Sequence, residues 1–230
     1  MTAIAKWALT AAFLPLGFLL GGAAFGHGVE GDDAAFMLSN SGPLIWPYIY
    51  LGAKHMVTGY DHLLFLAGVM FFLYRLKEVG LYVTLFAVGH SVTLLIGVLG
   101  GLHVNPYIVD AIIGLSVAYK AFENLGGFAR LGVSLDTRIA VFVFGLFHGF
   151  GLATKLQDLD IAESGLVTNM LSFNVGVELG QFLALGLILL GLNLLRASGQ
   201  FFRFATGANV IILCCGFLLI GYQLMGYATT

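Results

Sequence analysis

The sequence is poor in charge, which decides the class of protein before any motif is considered. Only 10% of its 230 residues are charged, whereas 59% are hydrophobic and the mean hydropathy is +0.96. A soluble domain carries about a quarter charged residues. Apolar runs recur about every 30 residues, each long enough to cross a hydrocarbon core of about 30 Å. We therefore predict an all-α integral membrane protein in contact with the lipid bilayer. The net charge of −2 gives no basis for a nucleic-acid partner.

Cysteine is scarce too, and the motifs of nucleotide chemistry are absent. Cys214 and Cys215 are neighbours in an apolar run, where an unstrained disulfide is unfavourable, so they are interpreted as small buried hydrophobic residues. The sequence contains no glycine-rich phosphate loop, no Gly-x-Ser-x-Gly and no Cys-x-x-Cys. These absences exclude an ATP-driven pump encoded in this chain, and they argue against a thiolate site for Cu(I).

The first 26 residues have the pattern of a secretory signal peptide. Lys6 precedes an apolar stretch at residues 7–20, and Ala24 and Gly26 form a small-x-small cleavage site. Cleavage would leave His27 as the N-terminus, a plausible but weakly indicated copper or nickel chelate. We expect a signal peptide at 1–26, a short periplasmic segment at 27–43 and a single transmembrane domain at 44–230. An uncleaved first helix is the alternative.

Six apolar segments follow the signal and predict a six-helix transmembrane bundle. They cover approximately residues 51–74, 79–100, 106–123, 138–154, 167–195 and 205–226. With the mature N-terminus outside, two basic residues lie on the outer side, Lys54 and Lys155. Seven lie on the inner side: Arg75, Lys77, Lys120, Arg130, Arg138, Arg196 and Arg203. By the positive-inside rule, this asymmetry predicts that both termini lie on the outer side of the membrane.

Ionisable residues inside the apolar segments mark the candidate site. Asp on insertion scales costs about 2.5 to 3.5 kcal/mol at a helix centre, so such residues usually have a functional reason. Those predicted as metal ligands, together with His55 at the mouth of the first segment, are Asp61, His62, His90, His148 and Glu178. Supporting polar side chains are Ser91, Thr93, Asn174 and Gln181. At about 1.5 Å per residue, the helices bring these groups to one level in the outer half of the bilayer.

Helical spacing gives a more detailed prediction. Asn174, Glu178 and Gln181 follow each other at i, i+4 and i+7, which predicts that they line one helix face. His55 and His62 also share a face, but a straight helix separates them by about 10.5 Å. Two nitrogens that bind one ion at about 2 Å cannot lie so far apart.

Two interpretations of this separation remain open. Either Gly59 breaks the helix, or the two histidines serve successive positions on a path. As a third possibility, His55 is only a solvated residue beside Lys54. Outside the site, Asn105 is expected to cap the third segment, Asp110 is explained by the dipole of that helix, and His103 is expected at the surface.

The residue types favour a transition metal. Imidazole with carboxylate suits nickel, cobalt, copper or zinc, whereas calcium and magnesium prefer shells made only of oxygen. We therefore expect a divalent transition metal as the bound ion.

Four blocks of the sequence, in order, resemble the HupE/UreJ family of bacterial membrane proteins. They are "HMVTGYDHLLFL", "VGHSVTL", "FGLFHGFGLA" and "FNVGVELGQ", and the resemblance covers about residues 45–225. It is closest to the second, broader branch of that family. The better-studied members are nickel permeases that accompany hydrogenase or urease maturation, so the resemblance implies metalloenzyme-maturation proteins as partners. It also implies that His55, Asp61 and His62 recognise the metal, with Glu178 as a further ligand.

Three functions are compatible with these observations. The first is a permease for nickel, cobalt or copper, in which ions pass by facilitated diffusion or proton coupling. The second is an intramembrane zinc-dependent hydrolase acting on a lipid or a membrane peptide, since three ligands, a bound water and a carboxylate base describe a catalytic zinc site. The scarcity of polar residues in the inner half favours the hydrolase. The third is an accessory protein that delivers its metal to a partner.

Overall fold

The computed structural model describes residues 31–158 and 164–229, apart from the side chains of Tyr60 and Leu76. The predicted signal peptide, His27 and the middle of the acidic loop after Gln157 lie outside these residues. Throughout the described part the chain is helical and has no strands. The helices are α1 (Asp32–Ser39), α2 (Ile45–Thr58), α3 (Tyr60–Met70), α4 (Leu76–Gly100), α5 (Pro106–Asn124), α6 (Gly127–Arg130), α7 (Thr137–Gln157), α8 (Leu166–Ala197) and α9 (Phe201–Thr229).

Five of the six predicted segments correspond to single long helices, namely α4, α5, α7, α8 and α9. The start of α5 is defined by the expected cap, since Asn105 Oδ1 accepts hydrogen bonds from the backbone nitrogens of Tyr107 at 3.0 Å and Ile108 at 3.3 Å. Pro106 follows at the first helical position, where its missing N–H costs nothing. In this part of the chain, apolar runs and capping residues were sufficient to locate the helices.

The first predicted segment is not one helix. It divides into α2 and α3 at Gly59, which has an extended conformation with φ of −73° and ψ of 101°. Its N–H closes α2 by donating to the carbonyl of His55 at 3.0 Å. Of the two open interpretations of the His55–His62 spacing, the structure therefore confirms the one in which Gly59 interrupts the helix.

Two pairs of helices run parallel and touch through glycine. On α2 and α8, a Cβ at Gly52 would meet the carbonyl of Phe173, and a Cβ at Gly176 would meet that of Ile49. On α4 and α7, the same holds for Gly89 against Phe142 and for Gly145 against Phe86. Backbones approach this closely only where there is no side chain, as is common between membrane helices.

The third pair is antiparallel and consists of α5 and α9. Gly216 packs against the backbone of Ala118, and Gly226 packs against the ring of Tyr107. Because α5 begins where α4 and α7 end, we call that end of the bundle the upper end. The helices α2 and α8 also begin at the upper end. Their starts lie side by side, because Asn169 near the start of α8 accepts a hydrogen bond from the backbone nitrogen of Leu44, just before α2, at 2.7 Å.

Four of the described helices are long and apolar enough to cross a membrane: α4 from Lys77, α7, α8 and α9. Their outward faces are apolar, and α9 is the least buried of the four. On that helix Cys214 is exposed and Cys215 is half-buried. The expectation that both cysteines are buried was therefore wrong for Cys214, because only one face of α9 packs against α5.

Candidate metal centre

Four histidines from four helices meet in the interior, and we call them the histidine cluster. They are His55 at the end of α2, His62 at the start of α3, His90 in α4 and His148 in α7. His62 lies at the centre, with ring centroids 5.3 Å from His55, 6.1 Å from His90 and 4.8 Å from His148. Each is at most 8% exposed. His55 is therefore not a solvated surface residue, because the break at Gly59 turns it inward.

Three of these histidines are arranged so that they could share one ion. One ring nitrogen from each of His55, His62 and His90 lies within 4.8 Å of the other two. Imidazole nitrogens bind zinc-like ions at about 2.0 to 2.1 Å, so ligand nitrogens in a closed site lie about 3 to 3.5 Å apart. Small rotations of the rings about their side-chain torsions would be sufficient to close the remaining difference. The donor set therefore fits a divalent transition metal.

The fourth histidine is oriented by its own helix. His148 Nδ1 lies 2.7 Å from the carbonyl oxygen of Phe144, one turn earlier in α7. A carbonyl can only accept, so Nδ1 carries the proton and Nε2 keeps its lone pair. Among the described residues Nε2 has no hydrogen-bond partner. Metal-binding histidines are commonly fixed by such a bond on the other nitrogen. His148 therefore has the protonation of a ligand, but it lies outside the group formed by His55, His62 and His90.

Asp61 supplies a carboxylate next to the rings. It is 4% exposed and lies in the first turn of α3, where an acidic side chain is stabilised by the helix dipole. Its Oδ1 accepts from the backbone nitrogen of His62 at 2.6 Å and lies 3.3 Å from Nδ1 of the same residue. A carboxylate beside several imidazole nitrogens is a donor set that suits a divalent transition metal.

The predicted face of α8 is only partly formed. Asn174 is buried beside the His90 ring, and Gln181 is fully buried. Glu178 is exposed instead and does not join the cluster. The helix turns about 100° per residue, which places Glu178 about 40° beyond Asn174 on the side away from Gln181. The i, i+4, i+7 spacing was therefore too coarse to predict a shared face.

Gln181 is unusual among the buried side chains. Both amide atoms are inaccessible, and neither has a hydrogen-bond partner among the described residues. A buried unsatisfied amide costs about 1 to 3 kcal/mol, so its presence needs an explanation other than packing. The amide is suited to bonding a hydrated ion or one of its water ligands.

Thr93 and Ser91, two of the predicted supporting residues, differ in their surroundings. The Thr93 hydroxyl lies 2.7 Å from the carbonyl of Leu146 and donates to it, so it connects α4 to α7 and does not face the cluster as a ligand. Ser91 is half-buried on α4.

An aromatic layer borders the cluster on its lower side. The Phe86 ring lies 4.9 Å from His148, and the Phe65 ring lies 5.8 Å from it. Phe65 also contacts Phe144 at 5.8 Å. These rings separate the polar centre from the lower half of the bundle.

Below the aromatic layer is a polar network that sequence reasoning missed. Glu123 accepts from Lys120 at 2.6 Å and from the Thr137 hydroxyl at 2.6 Å. Nearby, Asn124 donates to Asn209 at 2.8 Å and to the carbonyl of Gly68 at 2.8 Å. The expected scarcity of polar groups in the lower half was therefore wrong, because residues that are far apart in sequence combine there.

Above the cluster is an ion pair that was also missed. Lys155 Nζ lies 2.8 Å from Asp110 Oδ2, and the two side chains are 17% and 7% exposed. Lys155 lies within α7, seven residues after His148 and so on nearly the same face. That spacing could have shown that Lys155 points toward the cluster. His103, by contrast, is exposed as expected and pairs with Asp158 at 3.0 Å.

Apolar helices of membrane-spanning length around a buried histidine cluster define a helical membrane protein with a candidate metal centre. A family model described as HupE / UreJ protein matches residues 31–230. The chain belongs to this family, which is associated with the handling of nickel and other metals in general. No curated protein and no solved structure gives a significant match.

Proposed function

We propose that this protein is a permease for a divalent transition metal, with nickel as the first candidate and cobalt, copper or zinc after it. One observation carries the proposal: imidazole nitrogens of three buried histidines lie within 4.8 Å of one another, inside a bundle of apolar helices. Asp61 would attract the cation, and His55, His62 and His90 would replace its water ligands. His148, whose ring lies 4.8 Å from that of His62, would offer a further imidazole nitrogen beside them.

The chain is proposed to cross a bacterial inner membrane six times, with both termini in the periplasm. The α2–α3 pair and α5 would complete the four helices that already satisfy the length and composition of a span. Support comes from α5, which packs along α9, and from the α2–α3 pair, which runs beside α8. In this orientation the upper end faces the periplasm.

The polar network around Glu123 supports movement over storage. A permeating ion needs polar groups on both sides of its central site, and Glu123, Asn124 and Asn209 provide them below the aromatic layer. Family membership in turn favours metal handling over lipid or peptide hydrolysis. Glu178 stays a candidate for ion attraction from the exposed side of α8.

The proposal is tested by metal accumulation in cells that express the full-length protein. Nickel, cobalt, copper and zinc would be measured separately by mass spectrometry, in wild type, His62→Ala and His103→Ala. We expect accumulation of one metal that falls to the background of non-expressing cells in His62→Ala. His103→Ala is the matched control, because it removes an exposed imidazole outside the cluster.

Three results are informative. Selective accumulation that depends on His62 supports the permease and names its ion. Binding by purified protein without accumulation in cells would show an accessory protein that hands its metal to a maturation partner. If neither accumulation nor binding occurs, the metal-handling function is wrong for this chain.

A further inference from the structure

The ammonium group of a lysine lies directly above the histidine cluster and is held there by an ion pair. Lys155 comes from the last turns of α7 and pairs with Asp110 of α5 at 2.8 Å. The ammonium is also within electrostatic range of Asp61, His55 and His62. Two carboxylates and one lysine therefore share the upper approach to the histidine cluster.

The Asp110 carboxylate is only half satisfied by this pair. Oδ2 faces Lys155, whereas Oδ1 is buried and has no hydrogen-bond partner in the described part of the chain. Gly151 lies beside Oδ1, where a Cβ would come within 3.5 Å of that oxygen. A carboxylate buried with one oxygen unused is suited to accept a second cation or a water ligand of one.

Lys155 differs from the other lysine at this end of the bundle. Lys54 pairs with Asp33 at 2.7 Å, but these side chains are 41% and 26% exposed and the pair lies on the surface. Screening by water makes such a pair weak, so its charge has almost no effect on a buried ion. The Lys155–Asp110 pair is shielded from water, so its charges act on whatever enters the cluster.

We propose that Lys155 is an internal competitor for the transported ion: it neutralises Asp110 in the resting protein, and a divalent metal must displace its ammonium to reach the histidine cluster. This inference rests on the proposed function and adds a determinant of affinity to it. A long lysine side chain can move its charge toward the upper surface while its stem stays in place. The carboxylates from which the monovalent ammonium has moved away then bind the divalent ion.

The charge balance makes the proposal quantitative. In the wild type, Asp61, Asp110 and Lys155 sum to one negative charge. Lys155→Met leaves two negative charges, Asp110→Asn leaves none, and the double variant Lys155→Met/Asp110→Asn returns to one. Metal affinity should follow this series, and Lys155→Arg should behave like the wild type because it keeps the charge.

The experiment is equilibrium dialysis of purified full-length protein in detergent against Ni²⁺ and Zn²⁺, with thermal unfolding to verify folding. Relative to wild type, we expect about tenfold tighter binding for Lys155→Met and about tenfold weaker binding for Asp110→Asn. The double variant should return to within about threefold of wild type, as expected for directly coupled sites. Lys54→Met removes the same charge from the exposed pair and should not change affinity.

The outcomes separate this inference from the function on which it rests. If all folded variants of the pair bind like wild type while His62→Ala loses binding, the inference is overturned and the metal function stands. If Lys155→Met does not fold, Asp110→Asn and the double variant decide, because they should differ by about tenfold. Metal binding only after Lys155 is removed supports the inference, whereas no binding in any variant overturns both.

Discussion

At the scale of single residues, the protonation of one imidazole, that of His148, is fixed by the backbone. The carbonyl of Phe144 holds the proton on Nδ1 of His148 and leaves Nε2 available. A helix carbonyl is a poor partner in general, because its own i+4 amide already uses it. Here it serves as the outer-shell group that orients a ligand. Phe144 therefore contributes to the centre through its backbone as well as through its ring, which contacts Phe65 at 5.8 Å.

Replacing His148 should weaken metal binding without unfolding the protein. His148→Leu keeps a buried apolar volume between Phe65 and Phe86, so the fold should be retained. Loss of the Nε2 lone pair should raise the Kd for the bound metal about tenfold or more. Isothermal titration of the purified protein measures this, with His103→Ala as control. An unchanged Kd would show that His148 is part of the packing only.

Gln181 should show opposite effects on stability and on binding. Replacing a buried unsatisfied amide by a hydrocarbon of similar size removes a cost of about 1 to 3 kcal/mol. Gln181→Leu should therefore melt at the same or a higher temperature than wild type and bind metal more weakly. Thermal unfolding and titration on the same sample test both effects. A lower melting temperature would mean that the amide has a structural partner.

The sequence predicted ligand types better than their partners. His62, His90 and His148 could be identified because an ionisable residue in an apolar run is costly. Lys155 was assigned only to the outer side of the membrane, although its spacing from His148 gives its helix face, and Asp110 was attributed to the helix dipole. Their ion pair depends on how α5 and α7 pack, which periodicity within one helix does not contain.

At the scale of helices, the break at Gly59 has an electrostatic effect. It leaves the carboxyl end of α2 in the interior, close to the histidine cluster, and a helix carries about half a negative charge at that end. The opposite partial charge at the start of α3 is compensated by Asp61 in its first turn. Interrupted membrane helices commonly bind cations in this way, so the break improves the centre in addition to positioning His55.

Adding a single methyl group to a glycine between α4 and α7 should destabilise the protein. A Cβ at Gly149 would meet the hydroxyl of Thr93 and the carbonyl of His90, and the carbonyl cannot move independently of α4. Gly149→Ala should lower the stability by about 1 to 3 kcal/mol and separate His90 from His148. The matched control is Gly186→Ala, since nothing lies within 4 Å of a Cβ at Gly186 on α8.

Both variants can be compared by thermal unfolding and metal titration in the same detergent. Gly186→Ala should be neutral or slightly stabilising, because alanine favours a helix over glycine by about 1 kcal/mol. If Gly149→Ala and Gly186→Ala behaved alike, the close approach of α4 and α7 would be wrong.

Helix positions were largely predictable, and helix neighbours were not. The apolar runs located α4, α5, α7, α8 and α9 to within a few residues. The division at Gly59 was left open because a single glycine within an apolar run is compatible with a continuous helix. The pairing of α4 with α7 depends on several glycines at matching heights, which become meaningful only once the helices are side by side.

At the scale of the whole molecule, the distribution of basic residues predicts an orientation that can be measured directly. The six proposed crossings would place both ends of the mature chain in the periplasm. Alkaline phosphatase fused after residue 229 should be active, because the enzyme folds only in the periplasm. Fused after Gly132, between α6 and α7 at the lower end, it should be inactive. Equal activity of both fusions would contradict the six-span topology.

The histidine cluster crosses the boundary between the two parallel helix pairs. His55 belongs to the pair α2–α8, and His90 and His148 belong to the pair α4–α7. Within each pair the backbones touch, whereas α3 with His62 is a short segment between the pairs. An ion bound by all of these groups would link the two helix pairs. If one helix pair slid past the other, the ion would lose its ligands one at a time. Such a stepwise loss would allow a carrier to release its ion.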